Sequence, residues 1–187
     1  MKYVLNFVLV LFSVSSFSQT IIANQSFETS GDSWQIDFST PPCTSGIDSW
    51  NYHSSLSNII PSDGDRFWGV ADLNGDCGGS EFESINFSDI DISIYQNVEL
   101  SFDFNAIELD NGDDIKYELF LDGISQGEVL LYEGNNDSST MGWVTESVLI
   151  PNSANQISFK ILIKQNGTDY IGIDNINLYT LIVLWSY

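Results

Sequence analysis

Basic residues are what this chain has least of. Five lysines and arginines stand against 26 aspartates and glutamates in 187 residues, a formal net charge of −21 at pH 7. Nucleic acid and anionic lipid require a basic footprint, so neither is an expected partner. Histidine occurs once, as His53, and cysteine twice, as Cys43 and Cys77. A Ser-His-Asp centre would have to use His53, and no nucleophile-elbow motif lies near it. There is no internal repeat, no proline-rich linker and no window with a 3.6-residue apolar stripe, so helix is expected to be almost absent. The longest apolar run, Tyr3 to Val14, holds about 12 residues where a membrane span needs about 20. Membrane insertion is not expected.

That run has the layout of an export signal. Met1-Lys2 forms a short positive start, and Ser16-Phe17-Ser18 places small residues at the −3 and −1 positions of a cut before Gln19. No cysteine stands near the cut to carry a lipid anchor. Residues 1–18 are therefore read as a signal peptide and the protein as secreted, extracellular or on the cell surface. Removing them takes Lys2 away and leaves Arg66, Lys116, Lys160 and Lys164 as the basic residues. In an oxidising compartment Cys43 and Cys77 are expected to pair. Closing that loop is worth about 3–4 kcal/mol in the chain-entropy model.

What the chain does have is alternation. Hydrophobic residues make up 43% and aromatics 13%, enough to exclude disorder. From Asn97 onward, Val98, Leu100, Phe102, Phe104 and Ala106 point one way, and Glu99, Ser101, Asp103 and Asn105 the other. Asn111-Gly112 marks a tight turn, after which Ile115, Tyr117, Leu119 and Leu121 face in. Ile157, Phe159, Ile161 and Ile163 repeat the pattern. Short period-2 runs separated by Gly, Asn and Asp predict an all-β fold, an antiparallel β-sandwich (jelly roll) of about nine strands. It would fill residues 19–180, with Ser39 to Pro61 a long aromatic loop tethered by Cys43. The apolar tail, residues 181–187, either extends the last strand or marks a truncation point.

Two acidic turns gather hard oxygen donors. Asp72, Asn74 and Asp76 occupy positions 1, 3 and 5 of a calcium-loop spacing, with Glu83 at position 12. Cys77 replaces the glycine at position 6 and no flanking helices are evident, so this is not an EF-hand. A non-helical calcium loop stays open as a second metal site, beside a plain glycine-rich turn pinned by the disulfide. Asp110-Asn111-Gly112-Asp113-Asp114 reads chiefly as a hairpin turn.

The two ends of the domain carry a resemblance. Asn24-Gln25-Ser26-Phe27-Glu28 and Tyr170-Ile171-Gly172-Ile173-Asp174-Asn175-Ile176 resemble the first and last strands of galactose-binding-like jelly rolls, a group that includes carbohydrate-binding modules. The resemblance implies a structural calcium shared by Glu28 and Asp174, with backbone oxygens near Asn24 or Ser26 as helpers. The segments from Phe67 to Gly75 and Leu109 to Ile115, with Lys164-Gln-Asn-Gly, are also similar to β-sandwich domains of secreted proteins from gliding, Flavobacterium-like Bacteroidetes. A closed shell of oxygens would staple strands and leave no open position for activating water.

Sugar rings stack on Trp and Tyr while their hydroxyls bond to Asp and Asn. Trp50 and Tyr52, with Asn51 and Asp48, are the expected ligand-binding group, whereas Trp34, Trp68 and Trp143 are expected to fill core. No residue is singled out as catalytic, because glycoside hydrolysis needs two carboxylates at a set separation and the sequence favours no pair. The expected function is a secreted, non-catalytic module that binds polysaccharide or another extracellular surface. A structural or adhesive domain that binds protein is the alternative, and a fragment of an extracellular hydrolase the third.

Overall fold

The computed structural model of the chain describes residues 15–79, 81–135 and 141–185. They form twelve strands and no helix: β1 Ser15–Gln25, β2 Ile36–Phe38, β3 Cys43–Ser45, β4 Asp48–His53, β5 Phe67–Ala71, β6 Glu83–Asp91, β7 Val98–Ile107, β8 Asp114–Leu121, β9 Ile124–Glu133, β10 Val144–Leu149, β11 Gln156–Lys164 and β12 Tyr170–Trp185. The larger sheet has seven strands in the order β10-β7-β12-β5-β4-β3, with β1 also paired to β12. The smaller has five, in the order β2-β6-β11-β8-β9. Every pairing is antiparallel, as expected for the sandwich.

The segment from Ser39 to Pro61 is not one long loop. It contributes β3 and β4, which extend the larger sheet beyond β5. The Cys43–Cys77 disulfide, with 5.3 Å between Cα atoms, fastens β3 to the turn that follows β5. Most of the expected signal peptide lies outside the described residues, and its last four residues open β1. At the other end, residues 181–185 of the apolar tail continue β12, from Leu181 opposite Gln19 to Trp185 opposite Ser15.

The core lies between the sheets and is built by alternation. Leu100, Phe102, Phe104 and Ala106 of β7 are buried, as are Ile171, Ile173, Ile176 and Leu178 of β12. Opposite them stand Ile85 and Phe87 of β6, Ile157 to Ile163 of β11, and Ile115, Tyr117 and Leu119 of β8. Each such side chain contributes roughly 1.5–3 kcal/mol by leaving water.

One topological detail positions the site. β5 and β1 lie end to end along the same side of β12: β5 pairs with Tyr170 to Ile173, and β1 with Ile176 to Trp185. Asp174 and Asn175 fall in the gap between them, where the ladder to β7 also slips.

Candidate functional site

Three segments meet at that gap. Leaving β1, the chain turns at Phe27, which adopts left-handed backbone (φ 58) with its ring fully buried, and then presents Glu28. Approaching β5, residues 62–66 cross the gap. On β12, Asn175 is also left-handed (φ 52). Non-glycine residues in this region cost on the order of 1–3 kcal/mol, and they gather where function or clamping fixes them. Here two of them flank one gap.

Both carboxylates grip the crossing loop. Asp174 Oδ2 accepts the N–H groups of Ser62 (2.9 Å) and Asp63 (3.1 Å) and the hydroxyl of Ser62 (3.2 Å), while Oδ1 accepts the N–H of Asn175 (2.8 Å). Glu28 Oε1 accepts the N–H groups of Asp65 (2.7 Å) and Arg66 (2.9 Å). Asp174 is fully buried, and burial pushes its carboxyl up to about 6 against the opposing pull of its hydrogen-bond donors. The pair expected from the resemblance is thus brought onto a single loop.

Asn24 is not part of this arrangement. Its carbonyl accepts the N–H groups of Ser33 and Trp34, and its Oδ1 accepts the Ser33 hydroxyl. The oxygens nearest in sequence to the clamp belong to the loop itself, including Asp63 and Asp65. Carboxylate and loop oxygens are the hard donor type that calcium takes.

The two acidic turns meet a different partner, the loop of residues 165–169 between β11 and β12. Gly167 N–H donates to Asp72 (3.1 Å), and Leu73 N–H to the buried Gln165 side chain (3.0 Å). On the other flank, Asn166 donates its backbone N–H (3.2 Å) and its amide Nδ2 (2.6 Å) to Asp113, while Asp110 N–H donates to Asp169 (3.2 Å). The carboxylates of Asp110, Asp113 and Asp169 lie within 4.8 Å of one another, the one such group among the described residues. Burial, then the Asp169 carboxyl and the Asp110 charge, push Asp113 up to about 7. Burial also raises Asp169.

The expected calcium loop does not converge. Asp72 faces Gly167, Asp76 accepts the Ser45 hydroxyl (2.9 Å), and Asn74 lines a small cavity with Lys164 and Gln165. Glu83, at position 12, accepts the Ser39 hydroxyl.

The expected sugar platform also needs correction. Because residues 48–53 are a strand, they alternate, and Trp50 and Tyr52 point into the sandwich. Trp50 is fully buried, its indole N–H donating to the Thr40 carbonyl (3.1 Å). Tyr52 stands edge-on to Trp68 at 4.9 Å, and the Arg66 guanidinium covers its ring at 4.5 Å. Trp50 offers no open face, and Tyr52 is half-buried with Arg66 over its ring. Asp48 is buried and accepts Asp76 N–H, and Asn51 donates to Thr44 (3.2 Å). His53 lies 2.6 Å from the Ser49 hydroxyl, and burial, then the Arg66 charge, lowers its pKa.

Sequence reasoning missed what the outer face of the larger sheet assembles. Asn24 of β1, Asn177 of β12, Ser101 of β7 and Ser147 of β10 stand in one cross-strand row. Beside it, Thr145 donates to Asp103 (2.6 Å), Asn175 donates to Asp103 (3.0 Å), and Asn177 donates to Asn175 (2.7 Å). Below, Ile21, Tyr179, Glu99 and Leu149 form a third row, with the Tyr179 hydroxyl 2.6 Å from Glu99. Above, Trp143 closes the face, its indole N–H donating to the Ile60 carbonyl (2.8 Å). A Cβ on Gly172 would come within 2.8 Å of the Trp143 ring, so only glycine lets the indole lie against the sheet here. The outward set Glu99, Ser101, Asp103 and Asn105 was legible as a signal; its continuation across three more strands was not.

No protein-family model matches the chain, and no curated protein matches it. Among solved structures, the K3 cleaved adhesin domain of Lys-gingipain from Porphyromonas gingivalis is similar, at 11% identity and a TM-score of 0.50, over 85% of this chain and 98% of that one. TmCBM61, solved in complex with beta-1,4-galactotriose, is similar at 10% identity and 0.49, over 79% and 88%. The K2 cleaved adhesin domain follows at 13% and 0.48, over 86% and 97%. The likeness to the K3 domain bears out the expected β-sandwich.

Proposed function

We propose that the chain is an exported, non-catalytic binding module that recognises neutral polysaccharide at an extracellular surface, with one structural calcium held by Glu28 and Asp174. The observation that carries this reading is the role of the carboxylates that burial has made unusual. Asp174 accepts four hydrogen bonds and Asp113 accepts two from Asn166, so the oxygens of both are taken up within the protein. A general acid or base must instead aim a free oxygen at substrate. Calcium at Glu28 and Asp174 would supply positive charge to a buried carboxylate and lock residues 62–66 between the first and last strands. A charge of −21 disfavours polyanions and leaves neutral glycans as fitting partners.

Melting the protein in calcium and then in excess chelator tests the metal. At a calcium concentration about 100-fold above Kd, binding adds about 2.7 kcal/mol, roughly 5–10 °C for a chain of this size. Asp174→Asn should remove the difference, and equal midpoints for the unmutated protein would eliminate the ion. Affinity electrophoresis through neutral polysaccharides tests the ligand class.

An adhesive reading has its own support in β9. Among the described residues this edge strand pairs only with β8, and it exposes Ile124 (67%), Val129 (41%) and Leu130 (48%). Open apolar edges favour strand addition. That reading requires concentration-dependent association at micromolar protein in sedimentation velocity, and a monomer throughout would dismiss it.

A further inference from the structure

We infer that the outer face of the larger sheet, between Trp143 and the row of Ile21, Tyr179 and Leu149, is the ledge on which a neutral oligosaccharide lies. This deepens the polysaccharide reading above and rests on it.

The ledge is built from short side chains that end in oxygen or amide nitrogen: Asn24, Asn177, Ser101 and Ser147 in register, with Asp103 and Thr145 beside them. Neighbouring strands stand about 4.8 Å apart, so the row crosses four strands in about 14 Å. Short side chains keep the floor low, which lets a ligand approach the backbone plane. Hydrogen bonds among Thr145, Asp103, Asn175 and Asn177 hold these groups before any ligand arrives, so little side-chain freedom is lost on binding. Asn105, the next outward position after Asp103 along β7, has a buried carbonyl oxygen without a partner.

The borders are apolar. Trp143 is half-buried and fixed through its N–H, and Ile21 (52% exposed) and Leu149 (67% exposed) line the opposite side. A ligand that suits such a surface carries hydroxyls along its length and C–H faces at its margins. Sugars do both.

Charge selects among sugars. Asp103 and Glu99 lie on this face, whereas Lys116, Lys160 and Lys164 project from the smaller sheet and Arg66 covers Tyr52. Among the described residues no cation stands on the ledge. Carboxylates accept hydroxyl donors and repel uronate or sulfate groups, so the occupant is a neutral glycan.

The test uses affinity electrophoresis of the exported chain through gels containing soluble xylan, galactomannan or β-1,4-galactan, with polygalacturonate as the anionic control. Thr145→Arg and Ser147→Arg each put a long side chain on the ledge from exposed positions of edge strand β10. Retardation by at least one neutral gel, none by polygalacturonate, and a tenfold or greater loss of affinity in both variants at unchanged melting temperature is the expected result. If the unmutated chain is retarded and both variants match it, the ledge is wrong and the binding-module reading survives. If no neutral gel retards the unmutated chain, the polysaccharide reading falls and the ledge with it.

Discussion

The gap beside β12 and the loop end near β11 both bury a carboxylate and raise its pKa, yet they do so on opposite terms. Asp174 is surrounded by donors, so burial alone raises it and every hydrogen bond around it opposes the shift. Asp113 faces Asn166 on one side and two further carboxylates on the other, so its neighbours Asp169 and Asp110 add to the effect of burial. A carboxylate held by backbone N–H groups is a clamp, and its removal leaves those groups unsatisfied. A carboxylate packed against others is a point of stored repulsion, and neutralising it relieves the loops around it. Similar shifts therefore call for opposite responses to mutation.

The largest expected effect falls at the loop end, through the disulfide. Reduction of Cys43–Cys77, which closes a separation of 34 residues, should lower unfolding free energy by about 3–4 kcal/mol. Limited proteolysis of the reduced protein should cut near residues 72–79 before residues 62–66, because the clamp at the gap does not depend on the disulfide. First cleavage at 62–66 would merge the two regions into one cooperative unit. Next, Asp174→Ala leaves the N–H groups of Ser62 and Asp63 without their acceptor and should cost about 3 kcal/mol in urea unfolding. Asp113→Asn, by contrast, should stabilise the fold at pH 8, where the unmutated side chain is ionised against its burial and its acidic neighbours. Equal losses in the two variants would break the distinction.

The pH response sharpens it. The folded-state pKa of Asp113 is raised to about 7 from an ordinary 3.8, so the fold favours its protonated form. The resulting stability is complete below about pH 4 and is lost as pH rises through 7. In chelator, urea unfolding should therefore show stability falling between pH 5 and 8, and Asp113→Asn should flatten the upper part of that fall. Asp174→Asn should act on the part nearer 6 and leave the slope around 7 in place. A slope around pH 7 that survives Asp113→Asn would assign it elsewhere.

Much of this architecture was legible because alternation is a local property. The inward rows of β7, β8 and β11 follow from period 2 alone, and the two cysteines form the expected disulfide. Trp50 and Tyr52 were misread for the same reason in reverse. Their segment carries Asn, His and Ser in alternation with the aromatics, and polar outward residues made a buried strand look like a loop. Glu28 and Asp174 were singled out by resemblance as calcium ligands, but their grip on residues 62–66 was not, since nothing in Ser-Asp-Gly-Asp-Arg announces what will hold it. The ledge was the least legible feature. It draws on four strands that span residues 24 to 177, and cross-strand register is fixed by the fold as a whole.

The smallest expected effect comes from the opposite pole of the comparison, an ion pair that holds no loop. Lys160 on β11 reaches Glu118 on β8 at 2.6 Å and lies 5.3 Å from the Phe120 ring centroid, with 29% of its side chain exposed. The lysine lowers the Glu118 pKa through that hydrogen bond, which marks a favourable contact, but water screens it and neither partner is locked by backbone donors. Lys160→Met keeps the apolar stem over Phe120 and removes the charge, so the loss should stay below about 1 kcal/mol and shrink further in 1 M salt. A loss that matched Asp174→Ala would mean that the outer face of the smaller sheet is held together by charge, and that backbone clamping is not what distinguishes the gap.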